Sequence, residues 1–387
     1  MNLLTALIVS LVLVPSGGEP DPPFWPAEPV FSIGGSQDPE TVLHEVREVA
    51  VDGDGTLHLL QFGEPRVWRF DREGTALEAV GQEGEGPGEF RSPSTLGWAR
   101  DTLWVGDPAL DRITLFDGDD FARTLQVSHS LPGHTAPVLA LRILGDGDLQ
   151  GTPIPEAGPP QADSLPLLRI SRDGELRDTL FVVAPGQTSM SIEAPGVGIR
   201  TLQPFATGDL HGFDLRGEWG VRVGWTDHCP GNTASITGAT VQTRTGRVEE
   251  WSLELASGPL SEARVEAAYA EVLDRLREAA LAHPGAGFEE SRARRAIEEA
   301  LVRPDCSPPV TDLHVDASGR SWLRGVEPTE GDEVRWWILA PEGEVLGWTR
   351  LPRSLEVHSV EEGVWGVKED DLGVERIVGY RVTPERR

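Results

Sequence analysis

The chain has 387 residues, with 63 acidic against 34 basic side chains and a net charge of −29. A surface of that sign excludes the nucleic-acid backbone and anionic membranes as partners, because both recruit a positive field. Only two cysteines are present, too few for a disulfide scaffold, and neither has a second thiol at metal-ligand spacing.

Residues 1–16 read as a signal peptide. The apolar run over 3–14 is broken only by Thr5 and Ser10, is too short to span a bilayer, and is followed by Pro-Ser-Gly-Gly. The run has no basic residue before it, so a retained N-terminal anchor stays open as the alternative. No other segment is apolar enough to span. Residues 17–29, rich in Pro, Glu and Asp, form an extended leader, and 30–33 a short strand.

From Val46 onward one pattern recurs: an apolar run, a Gly turn, an alternating run, a loop and a second alternating run closed by another Gly turn. It is clearest in VAVDGDGTLHLLQF, LLRISRDGELRDTLFVV, LHVDASGRSWLRG and WWILAPEGEVLGWTRL. Each copy has too little apolar surface to stand alone, so the copies must pack on one another. Six units are counted, near 43–81, 93–127, 138–183, 201–255, 310–351 and 355–383. The sixth lacks a final outer strand, a vacancy that suits residues 30–33 if the units close into a ring. The expected fold is all-β: a six-bladed β-propeller over 30–387.

Between the fourth and fifth units the period changes. Val265, Tyr269, Val272, Leu273 and Leu276 share one helical stripe, and Ala293, Ala296, Ile297, Ala300 and Leu301 another, with a Pro-Gly break between them. An α-helical hairpin is therefore inserted over about 261–303, its apolar side facing the ring or a partner. Cys229 and Cys306 flank this insertion in proline-containing sequence. Export is compatible with one disulfide between them, and two unpaired thiols is the other reading.

The linker GQEGEGPGEFRSP over 81–93 resembles the Gly-Pro-Gly-x-Phe linker of bacterial exported six-bladed β-propellers related to NHL-repeat proteins. VDGDGTLHLL, VDASGRSWLRG and the hairpin over 336–352 resemble the same family. The resemblance covers roughly 30–382 and implies the fold. That family is mostly without a defined activity, so it implies no catalytic residue. The glycines of 81–93 do not make a phosphate cradle, since no Gly-Lys-Ser/Thr ending follows and Glu83, Glu85 and Glu89 oppose an anion. Asp52-Gly-Asp-Gly lacks the later ligands of a calcium loop and reads as a hairpin turn.

In a meander blade, successive connections alternate between the two ends of the ring. The short turns at Gly55, Gly74, Gly174, Gly319 and Gly343 gather on a plain end, and the longer loops and interblade connections on the other. That loop-bearing end receives an acidic set from which Asp107, Asp111, Asp227, His228, Glu369, Asp370 and Asp371 are the candidate ligand-binding residues. His211 and His358 are candidates near the channel. No motif calls for a cofactor; a divalent cation at the carboxylate-lined mouth is the one candidate. G-x-S-x-G and H-E-x-x-H are absent from the sequence. Most of the twelve tryptophans fall within strand patterns and should pack between blades.

The reading that follows is an exported, periplasmic or extracellular, monomeric protein without catalytic activity. It binds a protein, peptide or small ligand through the acidic loop-bearing face. The alternatives are a metal-assisted hydrolase or lyase, lactonase-like, at the channel mouth, and a structural module of an envelope assembly.

Overall fold

A computed structural model describes residues 10–11, 22–36, 41–127, 138–153, 164–186, 189–194, 197–205, 208–226, 229–282, 288–326, 332–370 and 372–384. Six antiparallel sheets follow one another around a closed ring. Blade I holds Val46–Val51, Leu57–Gln61 and Trp68–Phe70, with bridges from Val67 to Val80 and from Phe70 to Ala76 marking its outer edge. Blade II is Thr95–Ala99, Thr102–Asp107, Arg112–Asp117 and Asp120–Gln126; blade III is Val138–Ile143, Leu149–Pro153, Leu165–Ile170 and Leu176–Val183. Blade IV is Leu210–Phe213, Trp219–Trp225, Thr233–Gln242 and Arg247–Ala256. Blade V is Val310–Val315, Ser321–Gly325, Glu333–Leu339 and Val345–Pro352. In blade VI, Glu356–Ser359, Val364–Glu369 and Glu375–Val382 are completed by Ala27–Gly34, antiparallel to the last strand of the chain.

The expected closure is therefore present, through a strand that begins three residues before 30. Ahead of it, Trp25 is buried between blades V and VI, its N–H donating to the Trp348 carbonyl at 2.8 Å. Residues 22–26 thus line the outside of blade V before crossing to blade VI. Of residues 1–16, all but Ser10–Leu11 lie outside the described residues; that pair runs parallel beside Trp251 and Ser252 of blade IV.

The apolar alternation does what the sequence pattern requires: each seam between blades is a separate core. Leu60 and Val80 meet Phe90 and Leu96 between I and II, and Trp104 and Ile113 meet Val138 and Ile170 between II and III. Phe181 meets Val241 between III and IV, and Trp251 meets Leu313 between IV and V. Trp336 meets Val364 between V and VI, and Val49 meets Ile377 between VI and I. Trp104, Trp251 and Trp336 are fully buried in these seams.

Several turns share one device. An aspartate opens them and its carboxylate accepts amides two and four residues on: Asp52 from Asp54 and Thr56, Asp71 from Glu73 and Thr75, and Asp316 from Ser318 and Arg320. The Gly-rich linker works by steric fit. Gly81 stands at φ 81°, where a Cβ would lie 2.3 Å from the ring of Phe90, the fully buried residue that plugs the seam between blades I and II.

The insertion is helical as expected, with α1 at Glu262–Ala282 and α2 at Glu290–Ala300. Its apolar stripe does not face the ring. Strands Ser189–Ala194 and Val197–Leu202, between blades III and IV, form a hairpin whose Met190 and Ile192 pack with Val265, Tyr269, Leu276 and Ile297. Two insertions that could not be covered separately thus cover each other. Gln203, buried beside them, donates to the Ala300 carbonyl at 2.8 Å and accepts the Val302 amide at 3.2 Å, which ties off the end of α2. At the base, Ser307 N–H donates to the Gly258 carbonyl at 2.9 Å, and a disulfide joins Cys229 to Cys306.

Candidate functional site

The innermost strands set the site. Four of them carry charged or imidazole groups beside apolar ones: VREVAV in blade I, VLALRI in blade III, VTDLHV in blade V and EVHS in blade VI. Glu48, Arg142, His314, His358 and Glu361 from these four blades line one axial cavity of about 150 Å³.

The cavity has a floor at the plain end. The first turn of blade IV, residues 214–218, reaches across the axis, where Leu215 packs with Ala50 of blade I and with Leu96 and Trp98 of blade II. The Trp98 amide donates to the Leu215 carbonyl at 2.8 Å, and the Gly145 amide to the Gly217 carbonyl at 2.7 Å. Gly97 makes room for this, since a Cβ there would lie 2.4 Å from the Leu215 oxygen. The turn is rigid because the buried Asp214 carboxylate accepts the Arg216 and Trp219 amides. The turn therefore closes the plain end of the cavity.

Low dielectric dominates its electrostatics. Burial raises Glu48 to about 7, against the pull of Arg142 and His314. Burial likewise raises Glu361 to about 7, helped by Asp214 and Asp316, and Asp214 to about 6. His358 is lowered to about 4 by burial and by His314, so its ring is neutral at pH 7. Asp312 is also buried, yet His314 at 3.3 Å, the Leu313 amide and Arg324 outweigh that and hold it below its ordinary value. Arg142 donates to the Asp214 carbonyl at 3.3 Å.

Two polar atoms of the cavity wall, His358 Nε2 and Glu361 Oε1, are buried without a hydrogen-bond partner. The bond between His358 and the Arg47 backbone favours the protonated ring, as donation to a carbonyl does. The neutral ring therefore keeps its proton on that side, and Nε2 presents a lone pair to the cavity. Buried acceptors of this kind call for a donor.

Of the ligand-binding residues expected from sequence, the four that are described do not converge. Asp107 is fully buried, and its carboxylate accepts the Arg91, Ser92 and Ala109 amides; it locks the linker into blade II. Asp111, at φ 51°, turns the chain nearby, and its carbonyl accepts the Val127 amide at 2.7 Å. Asp370 accepts amides from Leu372, Val374 and Ser36, which hold its carboxyl far below the ordinary range, while Glu369 is exposed at a strand end. Blade I separates these two pairs. Asp227, His228 and Asp371 lie outside the described residues. His211 is exposed on the innermost strand of blade IV, and of the histidines expected near the channel His358 lines the cavity. Glu48, Arg142, His314 and Glu361 were not anticipated; the available signal was a charged or imidazole group set among apolar residues of a first strand for the first three, whereas Glu361 lies beyond the Glu356–Ser359 strand.

Among the described residues no group of three or more His, Cys, Asp or Glu is arranged to hold a metal ion. No described helix is long and apolar enough to cross a membrane.

The ring, its closure and its cavity define a six-bladed β-propeller. No protein-family model and no curated protein matches the sequence. Solved six-bladed propellers do match the structure. An exported protein of Bacteroides fragilis is 9% identical over 92% of this chain and 95% of its own, with a TM-score of 0.46. Virginiamycin B lyase of Staphylococcus aureus is 12% identical over 92% and 99%, at 0.39. A PQQ-bound aldose sugar dehydrogenase of Streptomyces coelicolor is 13% identical over 92% and 99%, at 0.40. Enzymes and binding proteins both occur among such neighbours.

Proposed function

We propose that the protein is an exported binding propeller, related to the NHL-repeat group, that receives the basic end group of a peptide or small amine in its axial cavity. The observation that carries this reading is the pair of unpartnered acceptors, His358 Nε2 and Glu361 Oε1, in a cavity floored by Leu215. A volume of about 150 Å³ suits one ammonium or guanidinium group rather than a whole drug-sized ligand. The acidic loop-bearing face would draw such a group inward. Export is supported by the apolar run over 3–14 and by the disulfide between Cys229 and Cys306.

Spermidine and a tripeptide ending in lysine are suitable probes in calorimetric titration. Binding is expected to strengthen as pH rises through about 7, because Glu48 and Glu361 then ionise. Glu361→Gln should weaken it about tenfold or more, as loss of a charge-assisted bond does. Absence of binding by either probe, or full affinity in that variant, overturns the reading.

One observation favours the alternative of a hydrolase or lyase at the same cavity: Glu48 sits near neutrality, the poise a general acid or base requires. Turnover of a simple lactone that disappears in Glu48→Gln would select it.

A further inference from the structure

At the plain end, the hollow where the turns of blades II, III and IV meet measures about 320 Å³ and is the opposite of the axial cavity in character. Five of the chain's arginines line it: Arg100 and Arg123 of blade II, Arg172 of blade III, and Arg216 and Arg244 of blade IV. Its two carboxylates are already engaged. Glu218 accepts from Arg244 at 2.6 Å, and Asp146 lies 3.3 Å from Arg169, which is outside the lining. Among the described residues, Arg100, Arg123, Arg172 and Arg216 have no carboxylate within ion-pair distance.

Two of them are nevertheless anchored. Arg172 Nε donates to the Gly147 carbonyl at 2.6 Å, and Arg216 Nη1 to the Arg100 carbonyl at 3.3 Å. Arg100 holds a backbone φ of 61°, a region that favours glycine. Four guanidinium groups without an ion-pair partner stand around one hollow, where five arginines outnumber two carboxylates, in a chain with 63 acidic side chains.

We infer that this hollow is a second binding site, for a small oxyanion carrying two or more negative charges. Planar guanidinium forks match carboxylate and phosphoryl oxygens in pairs, and four of them neutralise a multiply charged ligand where one would not. The site is separate from the axial cavity and stands whether or not that cavity binds a basic group.

Calorimetric titration of the full chain with citrate and with pyrophosphate, each without added metal, tests it at about 50 mM and about 300 mM salt. At low salt at least one probe should bind at one site per chain and weaken at the higher salt. The tighter probe assigns a carboxylate or a phosphoryl ligand. Arg123→Gln and Arg100→Gln should each weaken it about tenfold. Both side chains are exposed, so the variants should melt with the parent protein. Arg381→Gln, exposed on blade VI, should bind as the parent does. The inference is overturned if neither probe binds at low salt, if both blade II variants retain full affinity, or if Arg381→Gln loses as much as they do.

Discussion

The axial cavity and the basic hollow share a wall. Leu215 lines the first, while Arg216 and Glu218, one and three residues further along the same turn, line the second. The cavity takes its polar groups mainly from the innermost strands, where the ring holds them in low dielectric and shifts their proton affinities. The hollow takes most of its groups from turns, where solvent keeps arginines charged and only their anchoring bonds give them direction. Burial thus tunes whether a group is charged, and turn geometry decides where a permanent charge points.

The strongest way to break this contrast is to remove the wall. Leu215→Ala deletes a side chain that is 6% exposed and packed against blades I and II, and should cost about 2–5 kcal/mol in chemical unfolding. Both ligands should weaken together in that variant, whereas variants confined to one end should affect one ligand.

Reducing the disulfide should lower stability by about 2–4 kcal/mol while leaving both sites intact, since Cys229 and Cys306 secure the base of the insertion and belong to neither site. Melting with and without reductant, followed by titration of the reduced protein, checks this.

The pH dependence of stability isolates the axial cavity. Glu48 and Glu361 are raised from 4.5 to about 7 and Asp214 from 3.8 to about 6, so the folded state binds more protons than the unfolded state across that span. Their contribution is fully present below the unfolded values and is lost as pH rises through about 6 to 7. His358, lowered from 6.5 to about 4, acts in the opposite sense: its contribution is present above 6.5 and lost as pH falls through about 4. Glu356 and Asp148 are also raised and His211 is lowered like His358, so raised carboxyls outnumber lowered imidazoles and the melting temperature should fall between about pH 5 and pH 7.5, less steeply in Glu48→Gln. An equal slope in parent and variant would remove Glu48 from the account.

The smallest effects lie at the loop-bearing rim. Asp370→Ala leaves the Leu372, Val374 and Ser36 amides without their acceptor and should lower stability measurably, whereas Glu369→Gln should leave it nearly unchanged. Equilibrium unfolding of the pair separates a turn-forming carboxylate from a merely acidic neighbour.

That last contrast also explains what the sequence could convey. Period and turn chemistry are local, so the six units, the closure by the first strand and the helical stripe through Val265, Tyr269 and Leu276 were all legible. The Ser189–Ala194 and Val197–Leu202 hairpin was missed because it is short and joined through Pro195-Gly196. Its role depends on a helical pair about 70 residues downstream. Acid at the rim was read as a candidate site because Asp107 and Asp370 look alike whether they bind a ligand or a backbone amide. The cavity takes isolated polar residues from segments between 48 and 361, and the hollow takes arginines scattered from 100 to 244 within a chain of opposite net sign. Neither grouping exists until the ring has closed.

Closure has a consequence in time. The strand Ala27–Gly34 finds its sheet partner in Glu375–Val382, so residues 35–374 between them must be synthesised before it can pair. Until then the seams on either side of blade VI stay open, with Ile33 and Trp25 uncovered. Folding to the finished ring thus waits for residues 375–382, and a truncation at residue 374 should leave a product that proteases recognise as unfinished.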